Sequence, residues 1–177
     1  MLSLEESLKI LKETNALLEG HFVLSSGLHS PKYIQCAQLM SKPDKASQIC
    51  ISLSKKIQKD LDDFDIILSP AMGGIVVGYE LGRILKKETI FAERVNGKFT
   101  LRRDFSIKKN QKILIIEDVI TTGKSSLECS QLVAENKASI VGFACIIDRS
   151  NGRSLIKEKI VSQVKLNIPT YKENNLP

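Results

Sequence analysis

The stretch that most constrains the fold is Lys112 to Ser126, which reads KILIIEDVITTGKSS. Ile113 to Ile116 is an unbroken apolar run between polar residues, and its branched side chains suit a strand buried on both faces of a parallel sheet. Two acids follow, Glu117 and Asp118. Val119 and Ile120 then lead into Thr121, Thr122, Gly123, Lys124, Ser125 and Ser126, a turn of small residues, after which Leu127, Leu132 and Val133 begin a helical pattern. Strand, loop and helix start in that order form the place where open α/β sheets take their ligands.

The composition of the loop states its chemistry. Hydroxyl side chains, a glycine that lets backbone N–H groups converge and a helix N-terminus behind them make a site for one phosphate group, and Lys124 adds positive charge. The paired acids cannot hold phosphate, because like charges repel. They fit sugar hydroxyls, which donate hydrogen bonds to carboxylates. The stretch therefore reads as a ribose-phosphate cradle. Gly123, Lys124 and Ser125 also match the end of a nucleoside triphosphate loop, but that pattern needs a glycine where Asp118 stands, so it is rejected.

With these residues in view, an apolar strand followed by EDVITTGKS closely resembles the phosphoribosyl pyrophosphate (PRPP) motif of the type I phosphoribosyltransferases. The resemblance implies that Glu117 and Asp118 hold the ribose hydroxyls. It implies further that the PRPP site runs through Val119, Ile120, Thr121, Thr122, Gly123, Lys124 and Ser125, with the 5-phosphate in the turn.

Upstream, Ser3 to Glu6 matches a capping box, and Leu4, Leu8 and Leu11 recur at helical spacing. The segment Gly20 to Cys36 alternates and turns like a small hairpin outside the main sheet. Its Gly20, Phe22, Leu24, Ser26, Gly27 and Ser30 resemble the hood of orotate phosphoribosyltransferases, which implies a hood mainly over residues 18–40 and places Tyr33 and Ile34 against the pyrimidine. Ser25 stands where many members carry a lysine that reaches PRPP.

Pro43 fits a first helical position, and Ala46, Ile49, Cys50, Leu53, Ile57 and Leu61 give a long helix with one apolar face. Asp65 to Ser69 reads as a second buried strand running into Pro70, Ala71, Met72, Gly73 and Gly74. A glycine pair between strand and helix permits close backbone approach to an anion. In the resembling family this loop binds pyrophosphate, which implies that role for Ala71, Met72, Gly73 and Gly74. Many orotate enzymes carry Tyr-Lys at Met72 and Gly73.

Glu93 to Asp104 is a charged hairpin whose Asn96-Gly97 pair is a strong signal for a two-residue turn. Its basic residues, Arg94, Lys98, Arg102 and Arg103, could close over an anion. The resemblance implies a flexible loop that covers the pyrophosphate and completes the neighbouring subunit's site, with catalytic roles for Arg94, Lys98 and Asp118. The usual histidine of that loop is missing here. Ile140 to Asp148 is the next strand, and Arg149 stands at its carboxyl end, where a guanidinium can grip a carboxylate with two parallel hydrogen bonds. Asp148, Arg149 and Gly152 match the family pattern D-R-x-x-G, which implies that Arg149, with Thr121, meets orotate.

The totals agree with this reading. A chain of 177 residues is one domain's worth. The resemblance spans nearly all of it, implying a single domain over 1–177 with a mostly parallel open sheet, flanking helices and a small hood. Net charge of +6 suits an anionic small substrate or nucleic acid, but no tryptophan and 5% aromatics leave no stacking surface for the latter. No apolar run approaches a membrane span and the N-terminus lacks a leader pattern, so a cytoplasmic protein is expected. The four cysteines are too widely spaced for a metal motif and are expected as reduced thiols; with two histidines no protein-built metal site is expected.

The activity implied by the resemblance is transfer of phosphoribose from PRPP to orotate by a homodimer, with magnesium carried mainly on PRPP. Two alternatives stay open. A salvage enzyme for another base would share the PRPP loop but have no carboxylate for Arg149. A PRPP-sensing regulator would be expected to add a nucleic-acid binding segment.

Overall fold

The computed structural model describes residues 1–24 and 26–175. Ser25, with the expected loss of a PRPP-reaching lysine, lies outside the described residues. The chain begins with α1 (Leu4–Glu13), capped as expected: Ser3 Oγ accepts the Glu6 N–H at 3.1 Å, and Glu6 Oε2 accepts the Ser3 N–H at 2.7 Å. Strands β1 (Leu17–Val23) and β2 (His29–Ile34) then form an antiparallel sheet of their own. This is the expected hairpin, and a short helix that the pattern did not announce, α2 (Cys36–Met40), follows it. Five residues carry too little periodicity to signal one.

Helix α3 (Pro43–Asp60) starts with its proline in the first turn and buries Ala46, Ile49, Cys50, Leu53 and Ile57. The rest is β3 (Ile66–Pro70), α4 (Gly73–Leu85), β4 (Glu88–Val95), β5 (Lys98–Leu101), β6 (Lys112–Ile120), α5 (Lys124–Glu135), β7 (Ser139–Asp148) and β8 (Ile160–Lys165). The six-stranded sheet runs β5-β4-β3-β6-β7-β8, parallel except for β5, which returns antiparallel on β4 through the Asn96-Gly97 turn.

Alternation along the buried strands sorts the core into two layers. Ile67, Leu114, Ile116 and Ala144 face α1, α3 and α4, whereas Ile66, Leu68, Ile113, Ile115 and Phe143 face α5. Each such side chain removed from water contributes about 1.5–3 kcal/mol. All four cysteines are free and buried within these layers.

The connection after β3 runs through α4 to β4 on one side, and the connection after β6 runs through α5 to β7 on the other. Strand order therefore reverses between β3 and β6, the position at which such sheets open a crevice at their carboxyl ends. Register makes the crevice explicit. Strands β3 and β6 pair only as far as Leu68↔Ile115, while β6 stays paired with β7 out to Ile120↔Asp148.

Candidate active site

The acids expected in a loop lie within β6. Pairing with β7 carries the strand through Glu117, Asp118, Val119 and Ile120, five residues past the last residue paired with β3. The period of two then sends the acids to opposite faces. Glu117 faces α5, with Ser126 Oγ 3.5 Å from its Oε1. Asp118 faces the start of α4, where a Cβ added to Gly73 would lie 2.7 Å from Asp118 Oδ2. Any larger residue at 73 would have to push the Asp118 carboxylate aside.

Both carboxyls are held in a poorly hydrated place between the N-termini of α4 and α5. Burial pushes Glu117 up to about 8, helped by the charge of Asp118, and burial also raises Asp118, whose Oδ1 accepts the Val119 N–H at 2.8 Å. Two adjacent acids raised by burial in a crevice make it a candidate ligand site.

Thr121, Thr122, Gly123, Lys124 and Ser125 wrap a cavity of about 80 Å3 together with Glu117, Val119, Ile120 and Ser126. Gly123 takes φ +80°, the left-handed region that favours glycine, and ends on the first turn of α5. The turn presents exposed Thr121, Thr122 and Lys124 around backbone N–H groups, a cradle of the size and polarity of one phosphate.

On the other side of the crevice, Ala71 and Met72 are joined by a cis peptide bond, and Gly73 and Gly74 open α4. Gly74 packs so closely on β6 that a Cβ there would come within 2.8 Å of the Ile116 carbonyl. Gly73 thus lies directly beside Asp118.

Arg149 follows the last residue of β7, and its backbone N–H donates to Ile120 O at 2.9 Å, which fixes it next to the phosphate turn. The guanidinium is half-buried, burial lowers its pKa, and among the described residues no ion pair joins it to an acid. A desolvated cation without a protein anion is a ready receptor for an anionic ligand.

Two other expected groups lie on the hood and on the sheet edge. Tyr33 and Ile34 point to opposite faces of the hood: Tyr33 is exposed and stacks on Phe22 with ring centroids 5.7 Å apart, while Ile34 packs on the core. The basic hairpin is parked elsewhere. Arg94 lies over the Phe99 ring at 4.2 Å, donates to Gly97 O at 2.9 Å and pairs with Glu128 of α5. Arg103 is held by Glu93 at 2.9 Å, and Lys98 and Arg102 are exposed. Glu128 and the segment near Ile156 carried no sequence signal, since each matters only through a partner distant in the chain.

The comparisons agree with this geometry. The phosphoribosyl transferase domain family matches residues 40–176. An orotate phosphoribosyltransferase of Parvibaculum lavamentivorans (strain DS-1 / DSM 13023 / NCIMB 13966) is 41% identical over 174 residues, 98% of this chain and 90% of that protein. Among solved structures, orotate phosphoribosyltransferase from Aeropyrum pernix superposes with a TM-score of 0.77 at 25% identity, covering 89% of this chain and 92% of that one. Adenine phosphoribosyltransferase from Thermoanaerobacter pseudethanolicus shares the fold, with a TM-score of 0.67 at 16% identity over 76% of this chain and 88% of that one. A phosphate-sized turn behind two buried acids, set in a fold and a sequence shared over almost the whole chain, makes this protein a member of the phosphoribosyl transferase family, within the orotate phosphoribosyltransferases.

Proposed function

We propose that the chain transfers the phosphoribosyl group of PRPP to orotate, giving orotidine 5-monophosphate and pyrophosphate in pyrimidine biosynthesis. The observation that carries the choice of base is Arg149, a half-buried guanidinium beside the phosphate turn and without an acid partner among the described residues. Orotate brings a carboxylate to it; uracil and the purines do not.

In this reading Glu117 and Asp118 accept hydrogen bonds from the ribose hydroxyls, Thr121 to Ser125 hold the 5-phosphate, and the backbone of Ala71 to Gly74 receives pyrophosphate. Thr121 and Arg149 place the base, with Tyr33 and Ile34 of the hood against it. Displacement at the anomeric carbon builds positive charge on the sugar, and the two carboxylates beneath it stabilise that charge. Little proton transfer is asked of the protein. Fixed geometry supplies most of the effect, because the acids and the turn belong to a strand and a helix end.

The site fits magnesium as an ion carried mainly on PRPP. Glu117 and Asp118 offer oxygen donors, with Asp118 nearer the pyrophosphate turn, and a hard cation would keep substrate oxygens and waters as its other ligands. When bound, it neutralises charge on the departing pyrophosphate. The protein is further proposed to work as one domain over 1–177 and as a homodimer in which Arg94 and Lys98 of one copy close over the pyrophosphate of the other. Four free thiols agree with a reducing cytoplasm.

The test is to mix the protein with PRPP, magnesium and orotate and follow orotate absorbance, with uracil and adenine in parallel. Turnover with orotate alone is expected. Turnover only with another base would overturn the role of Arg149.

A further inference from the structure

The segment that leaves β7 is tied to the phosphate turn at two points. Arg149 N–H donates to Ile120 O and Leu155 N–H donates to Thr122 O, both at 2.9 Å. Between these ties Asn151, Gly152 and Arg153 arch through solvent, with φ of 53° at Asn151 and 71° at Gly152. Ile156 then drops back into the core at 8% exposure. Its Cγ1 lies 2.8 Å from where a Cβ on Gly123 would stand, and Ser154 Oγ crowds the same spot at 2.8 Å while accepting the Ile156 N–H at 3.1 Å. One arch therefore carries the unpaired guanidinium at its start and a wedge against the phosphate turn at its end.

We propose that segment 149–156 couples the base subsite to the phosphate subsite, with Ile156 as the positioning residue through which the coupling passes. The inference rests on the proposed function for what the two subsites hold. An anion on Arg149 fixes the start of the arch; a phosphate among Thr121 to Ser125 fixes the turn to which the arch is hydrogen-bonded. The middle of the arch is exposed and held by two hydrogen bonds, Arg153 N–H to Ser150 O and Asn151 Nδ2–H to Asn167 Oδ1, both at 2.9 Å, so a ligand that fixes one end of the arch leaves less of it for the second ligand to fix. Such linkage is reciprocal, and each ligand tightens the other by the same factor.

Orotate and ribose 5-phosphate test this without turnover, since no pyrophosphate is present to leave. Each is titrated by calorimetry alone and with the other saturating. In the unaltered protein the expected tightening is about fivefold or more, equal in both directions. Ile156→Ala should bring the factor close to one, and Ile156→Val, which keeps the wedge, should retain most of it. Thermal melting reports whether each variant is folded; if Ile156→Ala is not, Ser154→Ala removes the other group crowding Gly123 and should lower the same factor. A factor of one in the unaltered protein, or an undiminished factor in the folded variants, overturns the coupling. Failure of both ligands to bind singly overturns the proposed function, and the coupling with it.

Discussion

The Thr121–Ser126 turn and the β4–β5 hairpin both offer positive charge or N–H groups to phosphate, and they are built in opposite ways. The turn grows from the longest-paired end of the sheet, is hydrogen-bonded to the chain beyond β7, and leaves no space at Gly123 for a Cβ. The hairpin forms the edge of the sheet, with β5 paired only to β4, and its basic side chains are held by other side chains: Arg94 by Glu128 and the Phe99 ring, Arg103 by Glu93. Exposed pairs of that kind contribute only about 0.2–1 kcal/mol each. One region is preorganised and the other can be released, so affinity should reside in the first and closure in the second.

Substitutions can break this division, and the largest effect is expected beneath the sugar. Asp118→Asn should lower kcat by about a hundredfold or more, since it removes charge aimed at the reacting centre. Its melting temperature should hold or rise, because a poorly hydrated acid is removed. A loss of fold instead would show that Asp118 supports the structure.

Gly73→Ala comes next. The new Cβ must displace the Asp118 carboxylate, and steady-state kinetics should show kcat/KM for PRPP reduced by roughly tenfold to a hundredfold. Unchanged kinetics would mean that the crevice is looser than the 2.7 Å approach implies.

Arg149→Ala should raise KM for orotate about tenfold or more, the size of a lost charged hydrogen bond, with less change in kcat. Arg94→Ala should do the reverse and lower kcat. Equal changes in both parameters for both variants would erase the contrast between a binding region and a closing one.

The smallest effects belong to the parked hairpin and to pH. Glu128→Gln frees Arg94 and should lower KM for PRPP up to about fivefold, an effect that added salt should shrink. Glu117 has its folded pKa raised to about 8 from 4.5. Its contribution to stability is therefore fully present below about 4.5 and lost as pH rises through about 8, because the folded protein binds the extra proton in that window. Melting curves across this range should decline less for Glu117→Gln, while KM for PRPP in the unaltered protein should fall as the acid ionises.

What was legible in the sequence was whatever a local pattern encodes. Ile113 to Ile116 announced a buried strand, Asn96-Gly97 a hairpin, Ser3 with Glu6 a helix start, and the residues from Thr121 to Ser126 a turn leading into a helix. The acids were read correctly as a pair, but their placement on opposite faces depends on β6 continuing along β7 after β3 has turned away, a property of register between distant segments. The same reason hid Glu128 as the partner of Arg94 and Ile156 as the neighbour of Gly123. Tyr33 and Ile34 were read together because they are adjacent, yet adjacency within a strand is what separates them.

The hood also shapes how the chain can be made. His29 exchanges backbone hydrogen bonds with Tyr171 in both directions, at 2.8 and 2.9 Å, and Gln163 donates to Ser7 across 156 positions of sequence. During synthesis the amino-terminal hairpin and α1 leave the ribosome long before the residues that seal them. The two contacts can form only once β8 and the segment after it have been made. A pause in translation before residue 160 would therefore leave the hood and α1 without these two ties to the carboxyl-terminal segments.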